Sequence, residues 1–327
     1  MAKPSRPLPL TAWAITTGEA GMRTQARGLA AAVAETVVEK VVSVRWPQRW
    51  FPAGWPGVLA GIDESRGDGL RPPWPDVVVT CGRRSAIIGL AAKCASGGRA
   101  VLAHVQDPRA PLDGFDLVVA MAHDEISGPK VVKVLTAMHD ISPERLAKAA
   151  EAWRDRLSDL PRPLIGVLIG GPTSNSPFGA QEADELTRRL TALRTRTGGG
   201  LLLVPSRRTP EAALAVFARA FGADSTARVW DRSGDNPYLG ALALADRLVV
   251  TGDSVSMVSE ALATPHPVEV FVLNLRKRHA GFVQTLFDRG MVGLLQEGVE
   301  APSHPPLDAT AEAGDALRAL LASRRSG

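Results

Sequence analysis

Four stretches of the chain place glycine, hydroxyl, arginine or carboxylate groups directly after a short apolar run. They are Gly18-Glu19-Ala20-Gly21, Gly170-Gly171-Pro172-Thr173, Ser206-Arg207-Arg208 and Gly252-Asp253-Ser254-Val255-Ser256. Glycine lets a backbone approach a ligand closely, and arginine binds phosphate through a planar fork of N–H groups. These residue types favour the binding of a phosphate or a sugar, although each stretch could also be an ordinary turn.

The two adjacent arginines carry the strongest charge in these stretches. Thr209 and Pro210 are typical of a helix start, which leaves Ser206, Arg207 and Arg208 in the turn before it. Two neighbouring guanidinium groups repel each other unless an anion or carboxylates lie close, and a diphosphate would satisfy both. The alternative is that the arginines are solvated or paired with surface acids.

A second helix is predicted to begin near Ser254, after the apolar run that ends at Thr251. Ser254 and Ser256 would lie at its positive end, where an anion is favoured. Glu260 follows two turns later, and its carboxylate could accept hydrogen bonds from a ribose diol or simply be a solvated helical acid. Asn236, in WDRSGDNPY, could line the same pocket or only start a helix at Pro237.

Candidates for a general base follow the apolar runs of the first half. Glu19, Asp107, His123 and Asp124 could each act in this way, although a single such side chain in a loop is more often structural. The six histidines have no HExxH or HxxxH spacing and there are two cysteines, so the sequence predicts no metal site. No cofactor is expected to be required.

The elements that must position these residues are strands alternating with helices. Strands are predicted at 12–16, 41–44, 76–81, 100–105, 116–120, 131–135, 164–169, 200–204, 228–230, 247–251 and 268–272. Helices are predicted at 24–35, 85–93, 142–157, 180–197, 210–221, 237–246, 254–263 and 309–323. Continuous apolar strands joined by helices predict an α/β fold with parallel, doubly wound sheets. Ligands bind such sheets beyond the carboxyl ends of the strands, where all four stretches lie.

Length and composition predict two domains in a reducing compartment. A chain of 327 residues, 45% hydrophobic and 22% charged, is long enough for two α/β domains. We expect an N-terminal, acceptor-side domain at 1–160, a C-terminal donor domain at 161–307 facing it across a cleft, and a C-terminal helix at 308–327 packed back on the first domain. Two cysteines, no 18-residue apolar run and no secretory signal favour a cytoplasmic protein. No aromatic ladder indicates nucleic-acid binding.

Seven longer stretches carry a resemblance to a known family. They are GEAGMRTQARGLAAAV at 18–33, PDVVVTCGRRSA at 75–86, QDPR at 106–109, FDLVVAMAHD at 115–124, VLIGGPTSN at 167–175, SRRTP at 206–210 and NPYLGALALADRLVVTGDSVSMVSEALATPHPV at 236–268. The sequence resembles the bacterial proteins grouped with the plant mitochondrial-fission "elongated mitochondria" protein, which have also been labelled predicted nucleoside-diphosphate-sugar epimerases. That family is similar to GT-B glycosyltransferases, which have two Rossmann-like domains and hold a nucleotide-sugar donor mainly in the second.

The resemblance implies donor-binding roles at the matching positions, which are Gly170, Gly171, Thr173, Arg207 or Arg208, Ser254, Ser256 and Glu260. Relatives often carry a His after the second glycine of the first loop, near Gly18 and Gly21, where this chain has Met22. A catalytic role for that His is therefore absent here, and Glu19 and Asp107 become the candidates for the base.

The main hypothesis is a GT-B glycosyltransferase that moves a sugar from a nucleotide-diphosphate sugar to an unknown acceptor, for which the cell envelope is one option. A nucleotide-sugar epimerase on the same scaffold is the alternative enzyme. A non-catalytic adaptor is the third hypothesis, since Met22 replaces the expected His. The Trp-rich residues 46–55 would then be its partner surface, or a peripheral contact with the inner membrane, unless they only pack on their own domain.

Overall fold

Two compact units make up the chain, and each holds one six-stranded sheet. The computed structural model describes residues 9–45, 57–173, 176–275, 277–296 and 300–326. One unit comprises Met1–Asp140 with Asp308–Gly327, and the other Ile141–Leu307. All strand pairs in both sheets are parallel, which confirms the predicted α/β class. Residues 46–55 and positions 174 and 175 lie outside the described residues.

The first unit contains a sheet with the strand order β2-β1-β3-β4-β5-β6. Its elements are β1 (Thr11–Thr16), α1 (Ala20–Ala31), β2 (Thr36–Val41), β3 (Val77–Cys81), α2 (Arg83–Ala95), β4 (Val101–Val105), β5 (Leu117–Met121) and β6 (Val131–Val134). The central strands β3, β4 and β5 are buried along their whole length, as the continuous apolar runs predict.

The second strand lies earlier in the chain than the predicted 41–44. Helix α1 begins at Ala20 and ends at Ala31, so the chain turns at once and residues 36–41 pair with β1 in the register Thr11↔Thr36. As an edge strand, β2 is only partly buried. Its polar positions made it look less like a strand than the apolar residues that follow.

The second unit contains a sheet with the strand order β12-β11-β10-β7-β8-β9. Its elements are α3 (Pro143–Trp153), β7 (Leu164–Ile169), α4 (Ala180–Thr197), β8 (Gly200–Pro205), α5 (Glu211–Phe221), β9 (Ala227–Val229), α6 (Tyr238–Leu244), β10 (Arg247–Thr251), α7 (Val255–Leu262), β11 (Val268–Phe271), α8 (Lys277–Asp288) and β12 (Gly293–Leu294). Neither α8 nor β12 is among the elements predicted from the sequence. Because β7 lies between β8 and β10, the loops that follow these three strands are neighbours.

The boundary between the units falls at residue 140 rather than near the predicted 160. Helix α3 packs against α6 in the second unit, where a Cβ on Gly240 would lie 2.5 Å from Cγ of Trp153. This close approach ties α3 to the second sheet. The proline-rich residues 158–163 are therefore part of the second unit and do not link the two.

Helix α9 (Ala309–Ser326) returns to the first unit. Its apolar stripe of Ala309, Ala313, Leu317 and Leu321 joins one core with residues of α1, β3 and β4. Near its end, Arg324 donates to the carboxylate of Asp116, a residue that also accepts a hydrogen bond from Lys93 at 2.8 Å. The helix therefore closes one side of the first core.

We expect Leu317→Ala to lower the free energy of unfolding by about 2–5 kcal/mol, because it removes a fully buried side chain from that core. Urea unfolding at equilibrium measures the change. Glu312→Gln, an exposed change on the same helix, is the control and should have little effect. Equal losses in the two variants would contradict a packing role for the apolar stripe.

Candidate functional site

The loops after β7, β8 and β10 are joined by direct hydrogen bonds. The Gly170 amide donates to Oγ1 of Thr251 at 2.7 Å, and the Ser206 amide donates to the Ile169 carbonyl at 2.8 Å. The Ser206 hydroxyl donates to the Gly170 carbonyl at 3.0 Å. The structure thus brings together Gly170 and Ser206, which lie 36 positions apart in the chain.

A carboxylate that the sequence analysis did not single out lies among these loops. Oδ2 of Asp253 accepts a hydrogen bond from the Gly171 amide at 3.0 Å and from Nη2 of Arg208 at 3.1 Å. Its side chain is 5% exposed, and Oδ1 has no hydrogen-bond partner among the described residues. The adjacent glycines and arginines were the signal that a carboxylate should lie near.

The close approach of these groups explains the glycine pair. A Cβ on Gly170 would lie 2.2 Å from Oδ2 of Asp253, and a Cβ on Gly171 would lie 2.3 Å from the Arg208 carbonyl oxygen. Any side chain at either position would collide with a neighbouring loop. Both amides are also engaged within the protein, by Thr251 and Asp253, so the glycines serve loop packing in this structure.

Other donors along this edge have no partner among the described residues. Arg207 is exposed, and no carboxylate pairs with it within the described ranges. Ser254 is the N-cap of α7 and accepts from the Met257 amide at 3.4 Å, whereas the amides of Val255 and Ser256 have no partner within the helix. Strands β8 and β10 flank β7, so Arg207 and the start of α7 follow strands about 10 Å apart.

Glu260 lies on α7 beside a tyrosine. The Tyr238 hydroxyl donates to a Glu260 carboxylate oxygen, which fixes the orientation of that side chain. Oδ1 of Asn236 accepts from the Tyr238 amide at 3.0 Å, directly before α6 begins. The Thr173 hydroxyl is buried with no hydrogen-bond partner among the described residues.

A hollow of about 330 Å³ lies in the second unit, beside the edge strand β9. Trp153, Arg156 and Trp230 line it, and Arg156 stacks over the Trp153 ring at 3.8 Å from the centroid. Asp231 also lines it, but Asn236 and Tyr238 do not.

The first loop of the other unit holds Gly18, Glu19 and Gly21. Gly18 has a φ of 105°, which favours glycine, and the Thr17 hydroxyl donates to the Glu19 carboxylate at 2.6 Å. Glu19 is exposed at the start of α1. Met22 is packed inward, since a Cβ on Gly82 would lie 2.5 Å from its sulfur. The residue at the position of the expected His is therefore a packing residue.

Asp107 follows β4 and is tied to its own loop. It accepts from the Arg109 amide at 2.8 Å and lies 2.9 Å from Nε of Arg109, and Gln106 and Arg109 both have positive φ. The other two candidates follow β5, where Asp124 accepts from the Met121 amide at 3.1 Å. Nε2 of His123 lies 3.8 Å from Oδ1 of Asp124. Glu19 is thus the most exposed of these groups.

His104 is buried in β4, and Nδ1 lies 2.7 Å from the Thr80 hydroxyl. Burial lowers the pKa of His104 to about 3, against a smaller opposing effect of Asp107. The imidazole is therefore neutral at physiological pH.

No three His, Cys, Asp or Glu side chains come together to hold a metal ion within the described part of the chain. Among the same residues, no helix is long and apolar enough to cross a membrane.

Comparison with known proteins identifies relatives over almost the whole chain. The family model described as Mitochondrial fission ELM1 matches residues 20–321. The mitochondrial fission protein ELM1 of Arabidopsis thaliana is 34% identical over 277 residues, which cover 76% of this chain. The chain spans 65% of the length of that relative.

Solved structures with the same fold include two proteins that carry UDP. UDP-GlcNAc 2-epimerase from Methanocaldococcus jannaschii, in complex with UDP-GlcNAc and UDP, has a TM-score of 0.53 and 13% identity, covering 95% of this chain and 99% of its own. Os79 from O. sativa, in complex with UDP, has a TM-score of 0.51 and 10% identity, covering 97% and 92%. At these identities the likeness establishes the fold, which is of the GT-B type.

We expect Gly170→Ala to lower the free energy of unfolding by about 1–3 kcal/mol, because the new methyl group collides with Asp253. Gly281→Ala is the matched control, since a Cβ there meets nothing within 4 Å. In the interior of α8 that change should stabilise by about 0.5–1 kcal/mol. Chemical denaturation distinguishes the two, and a tolerated alanine at 170 would show that the loops are looser than described.

Lowering the pH from 7.5 to 5 should destabilise the first unit, since the unfolded chain protonates His104 below about pH 6.5 and the folded chain does not. The stability is therefore present above the unfolded pKa and is lost as the pH falls, by about 2 kcal/mol at pH 5. Denaturant unfolding of the wild type and of His104→Gln at both pH values measures the change in the free energy of unfolding. An unchanged pH dependence in the variant would exclude His104 as its source.

Proposed function

The chain belongs to the mitochondrial fission ELM1 family, and from this premise we propose that its second unit binds a nucleotide-diphosphate sugar. We further propose that the protein transfers the sugar to an acceptor. The supporting observation concerns the hydrogen-bond donors along the carboxyl edge of the second sheet, only some of which have partners within the described protein. The Gly170 and Gly171 amides donate to groups of the protein, whereas the Arg207 guanidinium and the first amides of α7 have no such partner among the described residues.

These donors suit a diphosphate next to a ribose. Arg207 would contact one phosphate, and the free amides of Val255 and Ser256 would contact the other at the positive end of α7. The Glu260 carboxylate, oriented by Tyr238, would accept hydrogen bonds from the ribose hydroxyls. The long Arg207 side chain and the diphosphate together would bridge the roughly 10 Å between the two strands that precede these groups.

The proposed chemistry is stabilisation of the leaving group. As the bond between the anomeric carbon and the phosphate oxygen breaks, its electron pair passes to the diphosphate, whose charge Arg207 and the helix start would neutralise. The acceptor hydroxyl forms the new bond to the anomeric carbon and loses its proton to a base, for which Glu19 is the exposed candidate and Asp107 the second. No metal is required in this scheme.

Two measurements test the proposal. Calorimetric titration with UDP, GDP, ADP, CMP and their sugar conjugates should show saturable binding to one nucleotide class. Mass spectrometry and proton NMR should then follow the mass and the configuration of the bound sugar nucleotide. Release of the nucleoside diphosphate with a glycosylated acceptor supports transfer, whereas a mass-neutral change of the sugar indicates an epimerase. Absence of binding to every nucleotide at millimolar concentration would contradict the proposal and favour an adaptor.

We expect Glu260→Ala to weaken binding of the selected nucleotide by about 10-fold, because the ribose loses its acceptor. Tyr238→Phe should have a smaller effect, since it removes only the hydrogen bond that orients the carboxylate. Asp184→Asn, on the exposed face of α4, and Met22→Ala, in the first unit, are the controls. Equal affinity of the wild type and Glu260→Ala would exclude this ribose site.

A further inference from the structure

The two adjacent arginines of the candidate site differ in what holds them. Arg208 donates from Nη1 to the Gly171 carbonyl at 3.2 Å and from Nη2 to Oδ2 of Asp253 at 3.1 Å. Arg207 is exposed and pairs with no carboxylate that the structure describes. One guanidinium group is thus fixed by the protein, and the other is available to a ligand.

Asp253 connects the three loops of the site. It follows β10 and directly precedes Ser254, the N-cap of α7. Its Oδ2 accepts from Gly171, after β7, and from Arg208, after β8. The three loops and the start of α7 therefore meet at one carboxylate, which is almost completely buried.

The packing around this carboxylate leaves no room for it to shift towards β7. A Cβ on Gly170 would already lie 2.2 Å from Oδ2 and 2.5 Å from Oδ1. Arg208 is its cationic partner among the described residues. Removal of Arg208, which is partly exposed, would leave the buried Asp253 carboxylate uncompensated, so the two groups should act as one unit.

We infer that Asp253 is a positioning residue of the anion site. By holding Arg208 against Gly171, it fixes the turn after β8 so that Arg207 is presented to the phosphate of the ligand. It also fixes that turn relative to the start of α7, which would bind the other phosphate. The inference rests on the proposed function, because it assigns the roles of the two arginines toward a nucleoside diphosphate.

The test compares the affinities of UDP and uridine for the wild type and for Asp253→Asn. UDP binding is measured by calorimetry and uridine binding by ligand-observed NMR, well below the unfolding temperature of each protein. We expect Asp253→Asn to weaken UDP binding by about 10-fold and to leave uridine binding unchanged, since only the phosphate contacts depend on the turn. A general loss of folded protein would weaken both ligands equally.

Variants of the arginines separate their roles. Arg207→Gln should weaken UDP binding without changing stability, because its side chain is exposed and unpaired within the described residues. Arg208→Gln should weaken UDP binding and lower the free energy of unfolding. Adding Asp253→Asn to this variant should cause little further loss of either, since the two residues form one ion pair. If Asp253→Asn does not fold, Arg208→Gln tests the same pair from its more exposed side.

Asp246→Asn is the matched control. Asp246 also accepts from a backbone amide, that of Leu164 at 2.6 Å, and from an arginine, Nη2 of Arg162 at 2.8 Å. This pair lies at the amino end of β7 and β10, away from the predicted site. The control should lose stability and keep its affinity for UDP.

Three outcomes overturn the inference in different ways. Wild-type affinity for UDP in Asp253→Asn would exclude a positioning role while the proposed function stands. Tighter UDP binding in that variant would mean that the carboxylate competes with the phosphate. Failure of the wild type to bind UDP or any other nucleoside diphosphate would overturn the proposed function, and this inference with it.

Discussion

A single buried carboxylate determines how the loops of the second unit are arranged. Asp253 accepts hydrogen bonds from Gly171 and Arg208, so it ties the turn after β7 and the turn after β8 to the residue that precedes α7. Burial of a charge is costly unless a partner compensates it, and here Arg208 is that partner. A side chain at Gly170 would collide with this carboxylate, and a side chain at Gly171 would collide with the Arg208 backbone.

This arrangement separates the groups that build the site from those that could act in it. Gly170, Gly171 and Arg208 donate hydrogen bonds to neighbouring loops. Arg207 and the first amides of α7 remain at the carboxyl edge, where parallel sheets bind ligands, and Glu260, whose carboxylate accepts from Tyr238, lies further along α7. Because Gly170, Gly171 and Arg208 are already fixed, less free energy is needed to hold the remaining groups in position for a ligand. This is the physical basis for proposing a diphosphate there.

The first unit differs from what a transferase with a histidine base would show. Met22 packs its sulfur toward Gly82 and is partly buried against the core. Asp107 is paired with Arg109, and His104 is buried and neutral. Glu19 remains as an exposed carboxylate at the start of α1.

Much of the fold could be predicted from local sequence, because its determinants are local. The strands at 164–169 and 247–251 and the helix at 180–197 were predicted with the bounds that the structure has, since buried parallel strands are continuous apolar runs and helices have caps. Weak patterns failed: β2 carries polar residues at a sheet edge, and α8 was missed although Phe282, Val283 and Leu286 have helical spacing.

The candidate site shows the limit of local reasoning. The sequence by itself determined which residue types follow the strands, and it thus predicted an anion site at the edge of the second sheet. It did not distinguish Arg207 from Arg208, or reveal Asp253, because these differences arise from contacts between residues up to 82 positions apart. Only the tertiary structure decided which guanidinium is paired, which glycine amides are used, and that α3 belongs to the second unit. Those outcomes depend on which loops the parallel sheet places side by side.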